Sequence, residues 1–269
     1  MRLDGKTAVI IGAGQGPTTG DIIGNGRATA LTFAREGARV LCVDRHLASA
    51  EETAAMIRDK GGVAEAAAAD VTDETSLKAA VESCGKRWGR LDILDNNVGV
   101  SVEFGDAPMD SVTAEAFGKI MEINLFGCIL ACRHALPIMR AQGAGSIINI
   151  SSASAYWTGH PTVTYPASKL AMVGFTRQLA IQNADRGVRA NAILPGLMNT
   201  PMAVDRRMQF TGRSRQDIEA ERHAKVPLNN RMGDAWDVAN AALFLASDEA
   251  RFVSGIELPV DGASMARVG

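Results

Sequence analysis

Short apolar strands alternate with helical segments along nearly the whole chain, and this alternation limits the possible folds more than any other feature. Thr7–Ile11 (TAVII) and Ser146–Ile150 (SIINI) are apolar, largely β-branched runs. Runs of this kind are typical of strands buried on both faces. Strands that alternate with helices predict right-handed crossovers and a parallel sheet covered by helices on both sides. We therefore predict one three-layer, doubly wound α/β domain over residues 1–269.

Hydrophobic periodicity and turn residues place the individual elements. Strands are predicted at Thr7–Ile11, Arg39–Val43, Val63–Ala69, Leu91–Leu94, Ser146–Ile150, Val188–Leu194 and Gly255–Val260. Helices are predicted at Asn25–Glu36, Ala48–Lys60, Leu77–Trp88, Ala114–Met139, Tyr165–Asn183 and Trp236–Ser247.

The segment 199–228 is charged and long, and it follows the end of a predicted parallel strand, where ligands bind in such sheets. Because structureless loops of this length are uncommon, we expect a helical lid over a substrate site. One interpretation of its charges is a solvated helix with i, i+4 ion pairs. The other is that one of its arginines grips a substrate carboxylate. The basic residues of this segment are Arg206, Arg207, Arg213, Arg215, Arg222 and Lys225.

Charge and cysteine content exclude several classes of protein. The formal net charge is −2, so no basic excess indicates nucleic acid or an anionic membrane surface as a partner. No apolar run approaches the roughly 18 residues of a membrane span. Four cysteines are too few for a disulfide framework, and Cys128 and Cys132 lack a matching Cys/His pair, so core packing is expected rather than zinc. We expect a cytoplasmic protein without a metal site.

Glycines are concentrated between the first strand and the first helix. Gly12 ends the strand, Gly16 follows, and Gly24 and Gly26 stand where the helix begins. A strand, a glycine-rich turn and a helix N-terminus form the Rossmann-type dinucleotide site, in which glycines allow close approach of the pyrophosphate. An ordinary strand–helix turn is the alternative. We select Gly12, Gly16, Gly24 and Gly26 as cofactor contacts.

Asp44 ends the second strand, 18 residues after Gly26. An acid at this point can accept hydrogen bonds from both ribose hydroxyls of NAD and repel the 2′-phosphate of NADP. It could instead cap the next helix, and Arg45 could meet a phosphate. On balance the sequence favours NAD.

Tyr165 and Lys169 stand at positions i and i+4 and so lie on one face of a predicted helix. A nearby ammonium group is expected to favour the phenolate and to lower the phenol pKa from about 10. This would make Tyr165 a usable general acid or base.

Taken together, these features resemble the short-chain dehydrogenase/reductase family over Asp4–Met265. The landmarks occur in the family's order. They are the glycine loop, Asp44, Asp70–Val71, Asn96-Asn97-Val98-Gly99, Asn124, Ser152, Tyr165-Pro166-Ala167-Ser168-Lys169 and Pro195-Gly196.

The resemblance implies a catalytic set. Tyr165 would exchange the proton on the substrate oxygen, and Ser152 would hydrogen-bond that oxygen. Lys169 would hold the nicotinamide ribose, and Asn124 would help to hold a water in a proton relay from Lys169. Structural roles are the alternatives for Ser152, as a strand end, and for Asn124, as a buried amide that needs partners in any case.

The resemblance also implies further cofactor contacts. Asp70 and Val71 would contact the adenine, unless Asp70 simply caps the following helix. Asn97 and Gly99 would pass close to the adenosine ribose. The Met198 backbone and the Thr200 hydroxyl would orient the carboxamide.

Three departures from the family pattern stand out. Val98 replaces the usual alanine, and Asp95 stands where an apolar strand residue is usual. The glycine loop is longer by about eight residues, with Pro17–Ile23 expected to bulge outward. Enoyl-reductase relatives also lengthen this loop, but their Tyr and Lys stand farther apart than Tyr165 and Lys169.

The sequence therefore predicts hydride transfer between NAD(H) and a small-molecule secondary alcohol or ketone. An NADPH-dependent 3-oxoacyl thioester reductase is the alternative enzyme, and a cofactor-bound sensor or scaffold is the alternative outside catalysis. The resemblance further implies a homotetramer, with dimer helices near residues 114–139 and 165–183.

Overall fold

The computed structural model describes residues 1–16, 18 and 21–266. Its strands are β1 Thr7–Ile11, β2 Arg39–Asp44, β3 Val63–Ala68, β4 Ile93–Asn96, β5 Gly145–Ile150, β6 Val188–Pro195, β7 Met198–Asn199, β8 Gly233–Asp234 and β9 Glu257–Val260. Its α-helices are α1 Asn25–Arg35, α2 Leu47–Arg58, α3 Glu74–Trp88, α4 Ala114–Met121, α5 Gly127–Gln142, α6 Thr164–Asn183, α7 Asp205–Thr211, α8 Arg215–Ala224 and α9 Ala235–Ala246.

Seven parallel strands form one sheet in the order β3-β2-β1-β4-β5-β6-β9, as the doubly wound prediction requires. The order reverses at β1, which lies between β2 and β4. Ile11 at the end of β1 is level with Val43 of β2 and with Asn96 of β4. The carboxyl ends of these three strands therefore meet at the reversal, where such sheets bind ligands.

Helices cover both faces of the sheet and bury alternate residues of each strand. Ala8 and Ile10 of β1 pack in a cluster that includes residues of α1, α2 and α9. Val9 and Ile11 pack in a second cluster that includes residues of α3, α5 and α6. This alternation has the period of two that a strand buried on both faces requires, and it gives the three layers predicted.

Two elements differ from the sequence prediction by more than a shift of a few residues at one end. β4 runs to Asn96 because Asp95 and Asn96, although polar, are buried within the sheet. The long helix predicted from Ala114 is interrupted by a π-helical turn at Glu122–Phe126. Such turns are rare and are often found at functional sites.

Four further observations concern the cysteines, the segment 199–228, possible membrane spans and possible metal sites. All four cysteines are buried and free, in agreement with core packing. The segment 199–228 contains α7 and α8, so it is helical as predicted. None of the described helices has the length and hydropathy needed to span a membrane. The described residues also contain no cluster of three or more potential metal ligands.

Candidate active site

The turn between β1 and α1 leaves little room for a side chain at Gly12 or Gly26. Gly12 has φ +86°, and a Cβ there would lie 3.1 Å from Val98 Cγ2. A Cβ on Gly26 would lie 2.0 Å from the Gly12 carbonyl oxygen. Gly24 is the N-cap of α1 and makes no side-chain cap bond, so the first amides of the helix are not occupied by a cap. A narrow turn and an uncapped helix N-terminus together fit a pyrophosphate.

Gln15 closes the base of the lengthened glycine loop. Its Oε1 accepts a 2.7 Å hydrogen bond from the Gly24 amide, and its Nε2 donates to the Ile22 carbonyl at 3.1 Å. The outward bulge predicted for Pro17–Ile23 falls in part on Pro17, Thr19 and Gly20, which lie outside the described residues. A Cβ on Gly16 would meet no atom within 4 Å among the described residues, so its cofactor contact stays a prediction.

Asp44 lies at the end of β2, facing the glycine turn. Its Oδ2 accepts the Gly14 amide at 3.2 Å and its Oδ1 accepts the His46 amide at 3.0 Å. A Cβ on Gly14 would lie 2.7 Å from Asp44 Oδ2, so glycine is needed for this approach. Gly14 was not among the predicted cofactor contacts, although its spacing from Gly12 and Gly16 marks it as part of the same glycine turn. Arg45 donates instead to His46 Nε2, at 3.0 Å.

Asp70 and Val71 follow β3 at the same edge of the sheet. Asp70 Oδ1 accepts hydrogen bonds from the Thr72 amide and hydroxyl at 2.9 and 2.7 Å. The bond from the Thr72 amide is the main cause that holds the Asp70 pKa below its ordinary value. The N-cap of α3 is Asp73, so the alternative role of Asp70 as the helix cap is wrong.

The segment that follows β4 lies between the end of β1 and α6 and contacts both. The Asn97 amide donates to the Ile11 carbonyl at 2.9 Å, and Asn97 Nδ2 donates to Asp95 Oδ1 at 2.6 Å. Burial raises the pKa of the Asp95 carboxyl to about 7. A Cβ on Gly99 would lie 3.3 Å from Lys169 Nζ, which places this backbone beside the predicted ribose ligand.

Asn124 lies in the π-helical turn and is buried. Its side chain accepts the Val100 amide at 2.8 Å and donates to the Val100 carbonyl at 2.9 Å and to Ser168 Oγ at 3.0 Å. Its amide group therefore joins the loop after β4 to α6. This is the structural role that the sequence left open, and the water relay stays a prediction.

Ser152, Tyr165 and Lys169 converge at the start of α6. Lys169 is buried, and its Nζ lies 5.8 Å from the centroid of the Tyr165 ring. Lys169 Nζ donates to the Ile150 carbonyl at 2.8 Å, and burial lowers its pKa to about 8. Ser152 follows β5, and its Oγ accepts the Ser154 amide at 3.1 Å.

The electrostatics of Tyr165 differ from the sequence prediction. Burial raises the Tyr165 pKa above its ordinary value, the Ser152 hydroxyl opposes this, and the Glu103 carboxylate adds to it. The predicted lowering of the Tyr165 pKa by Lys169 is wrong for this arrangement, because burial outweighs it and Lys169 Nζ donates its hydrogen bond to the Ile150 carbonyl.

His160, in the loop before α6, stacks on Tyr165. The His160 and Tyr165 ring centroids are 6.0 Å apart with an interplanar angle of 28°. Burial lowers the pKa of His160, so the ring is neutral near pH 7.

Met198 and Thr200 lie where the chain leaves β6 for the lid. Both residues are buried, and Met198 pairs with Gly233 in the small β7–β8 sheet. The Met198 carbonyl accepts a 3.3 Å hydrogen bond from Arg222 Nη2. The Thr200 carbonyl accepts the amides of Ala203 and Val204, which begins the turn into α7.

Most charged side chains of the segment 199–228 are paired within the protein. Arg206 pairs with Glu103 of the loop after β4, Arg215 pairs with Asp205, and Arg213 and Lys225 both pair with Glu221. Among the described residues, no carboxylate pairs with Arg207 or with the buried Arg222. The i, i+4 interpretation therefore holds for Lys225–Glu221 and Arg215–Glu219.

Comparisons with known proteins agree with this geometry. A family model described as Enoyl-(Acyl carrier protein) reductase matches residues 23–263. The 2,5-dichloro-2,5-cyclohexadiene-1,4-diol dehydrogenase LinX of Sphingobium indicum is 36% identical over 97% of this chain and 96% of its own length. The levodione reductase of Leifsonia aquatica is 36% identical over 92% of both chains.

Solved structures lead to the same family. A crystal structure of levodione reductase superposes with a TM-score of 0.91 at 33% identity and covers 99% of this chain and 100% of its own. A short-chain dehydrogenase/reductase structure from Burkholderia xenovorans gives a TM-score of 0.90 at 43% identity and covers 100% and 99%. The chain belongs to the short-chain dehydrogenase/reductase family of oxidoreductases.

Proposed function

We propose that the protein is an NAD-dependent dehydrogenase that interconverts a secondary alcohol and a ketone, with Asn124, Ser152, Tyr165 and Lys169 as its catalytic set. The observation that carries the proposal is the approach of buried Lys169 Nζ to within 5.8 Å of the centroid of the half-buried Tyr165 ring, next to Ser152. A sensor or scaffold without turnover would have no need of this group.

Each side chain has a separate task, and that of Lys169 would be to hold the nicotinamide ribose. The Tyr165 phenol would give its proton to the substrate oxygen during ketone reduction and take it back during alcohol oxidation. Ser152 would donate a hydrogen bond to the same oxygen and fix its position. Asn124 would keep the loop after β4 fixed against α6, as its bonds to Val100 and Ser168 indicate. A bound nicotinamide would supply the hydride acceptor or donor.

The cofactor would lie across the carboxyl ends of β1, β2 and β4. The proposed contacts are Gly12, Gly14, Gly16, Gly24, Gly26, Asp44, Asp70, Val71, Asn97, Gly99, Tyr165, Lys169, Met198 and Thr200. Asp44 supports NAD over NADP, because its carboxylate is fixed by two backbone amides and would repel a 2′-phosphate. The same charge counts against an NADPH-dependent 3-oxoacyl thioester reductase.

We also propose a cytoplasmic homotetramer, in which 199–228 is the substrate lid of a single domain. Large apolar side chains are exposed on α4, on the π-helical turn and on α6, and these would be covered by a second copy. They are Phe117, Phe126, Leu170 and Ile181. Sedimentation at micromolar concentration would show a tetramer, whereas a monomer would contradict this assignment.

A spectrophotometric screen tests the activity. Reduction of NAD⁺ and NADP⁺ would be followed at alkaline pH with cyclic diols and with aromatic, steroid and hydroxy-acid alcohols. Cyclic diols come first because LinX is named for one. We expect turnover of at least one secondary alcohol with NAD⁺, and its loss in Tyr165→Phe. A wild-type protein that binds NADH and oxidises none of these alcohols would contradict the proposal.

A further inference from the structure

The N-terminus of α6, which carries Tyr165, is held by a carboxylate from another part of the chain. The N-cap of α6 is Val163, which has no capping side chain. Asp106, in the loop after β4, accepts the Thr164 amide on Oδ1 at 3.0 Å and the Tyr165 amide on Oδ2 at 2.9 Å. Asp106 is buried, with 6% of its surface exposed.

The same carboxylate fixes the two loops beside the tyrosine. Its Oδ2 also accepts Ser101 Oγ at 3.0 Å and Thr162 Oγ1 at 2.7 Å. The Thr162 amide in turn lies 3.2 Å from Nδ1 of His160, the ring that stacks on Tyr165. Asp106 is thus connected to Tyr165 in two ways. Its carboxylate accepts the Tyr165 backbone amide, and through Thr162 it is linked to the His160 ring that stacks on the Tyr165 ring.

We propose that Asp106 is a positioning residue for the reaction: its carboxylate fixes the start of α6 and thereby the direction of the Tyr165 phenol. This inference rests on the proposed function, because it assigns the purpose of the contact to proton exchange at Tyr165. Asp106 itself would not touch substrate or cofactor.

The pattern of donors explains why a carboxylate is required. Both oxygens of Asp106 accept a backbone amide of α6, and the partners that remain are the Ala107 amide and two hydroxyls. A hydroxyl can rotate and become an acceptor, but a backbone amide cannot. An asparagine of the same size must therefore leave the amide of Thr164 or of Tyr165 without a partner, whichever way its side chain is turned.

The test compares Asp106→Asn with Asp110→Asn, a change at an exposed acid in the same loop. We expect Asp106→Asn to lower kcat by 10- to 100-fold and to leave the dissociation constant of NADH within threefold. We expect the deuterium isotope effect with labelled substrate to change, and Asp110→Asn to match the wild type. Thr162→Val keeps the carboxylate, and we expect it to lower kcat by less than Asp106→Asn.

Hydrogen exchange separates this inference from the proposed function, because it needs no turnover. In Asp106→Asn, peptides that cover the start of α6 should lose protection, whereas peptides from β1 and α1 should not. If the wild type oxidised no alcohol and this loss of protection were still seen, the proposed function would be wrong. The role of Asp106 in fixing the start of α6 would nevertheless be supported. Unchanged kcat, or a uniform loss of protection and of NADH binding throughout the protein, would overturn the positioning role.

Discussion

Replacing Gly26 with alanine should test where the pyrophosphate lies. A Cβ at this position would lie 2.0 Å from the Gly12 carbonyl oxygen, and real Cβ atoms essentially never approach closer than 3.0 Å. The start of α1 must therefore move away from the strand end by on the order of 1 Å, and a displacement of this size can cost about 100-fold in a positioned site. We expect the NADH dissociation constant to rise by about 100-fold, which corresponds to about 2.8 kcal/mol.

The assay is fluorescence titration with NADH, with the thermal midpoint measured to confirm folding. Two glycines of the same loop serve as controls. A Cβ on Gly24 would lie 3.7 Å from Gln15 Oε1, an ordinary contact, and a Cβ on Gly16 would meet no atom of the described residues within 4 Å. Both alanine variants should bind NADH more tightly than Gly26→Ala. Normal binding by Gly26→Ala, with loss of binding in Gly16→Ala, would refute the assignment of the lengthened loop.

Four other predictions follow from the site. Tyr165→Phe should lower kcat by about 10²- to 10⁴-fold without weakening NADH binding, as kinetics and titration would show. The wild type should prefer NAD by at least about tenfold in kcat/KM, and Asp44→Ala should narrow this preference; equal use of both cofactors by the wild type would contradict the role of Asp44. Burial of Lys169 lowers its pKa from 10.5 to about 8, so the stability of the folded chain falls as the pH drops from 10.5 to about 8 and this penalty stays constant below pH 8. Lys169→Met should therefore raise the free energy of unfolding at pH 7, by up to about 3 kcal/mol, and not at pH 10.5. A gain in the free energy of unfolding that did not vary with pH would contradict this explanation. Arg207→Gln should raise KM for an acidic substrate and not for its neutral ester, whereas Arg213→Gln, which breaks a pair with Glu221, should change neither.

The fold could be predicted from the sequence because its strands are apolar and buried on both faces. The run Thr7–Ile11 matches β1 residue for residue, since nothing polar interrupts it before the glycines. β4 was placed too early, because the pattern of hydrophobic residues does not identify a buried acid such as Asp95 as part of a strand. The π-helical turn around Asn124 also has no periodic signal, because it depends on how α4 and α5 join.

The positions of the site residues were easier to predict than their electrostatics. The spacing of Tyr165 and Lys169 correctly placed both side chains on one face of a helix. The sign of the Tyr165 pKa shift depends on burial and on Glu103, which is 62 residues away along the chain, and no local spacing could reveal it. The contact between Asp106 and the start of α6 is equally remote in sequence.

Aspartate and glutamate side chains, rather than regular secondary structure, connect the loops that lie over the carboxyl ends of the strands. Asp106 links the loop after β4 to α6, and Glu103 of the same loop links it to Arg206 of the lid. Asp205 accepts Thr18 Oγ1 of the glycine loop at 2.7 Å and pairs with Arg215 of α8. Loops lack the repeated backbone bonds of helices and strands, so an ionised carboxylate that accepts several donors is an effective way to fix them. Because Glu103 both pairs with Arg206 of α7 and adds to the rise of the Tyr165 pKa, a movement of α7 that released Arg206 would also change the charge near the Tyr165 phenol.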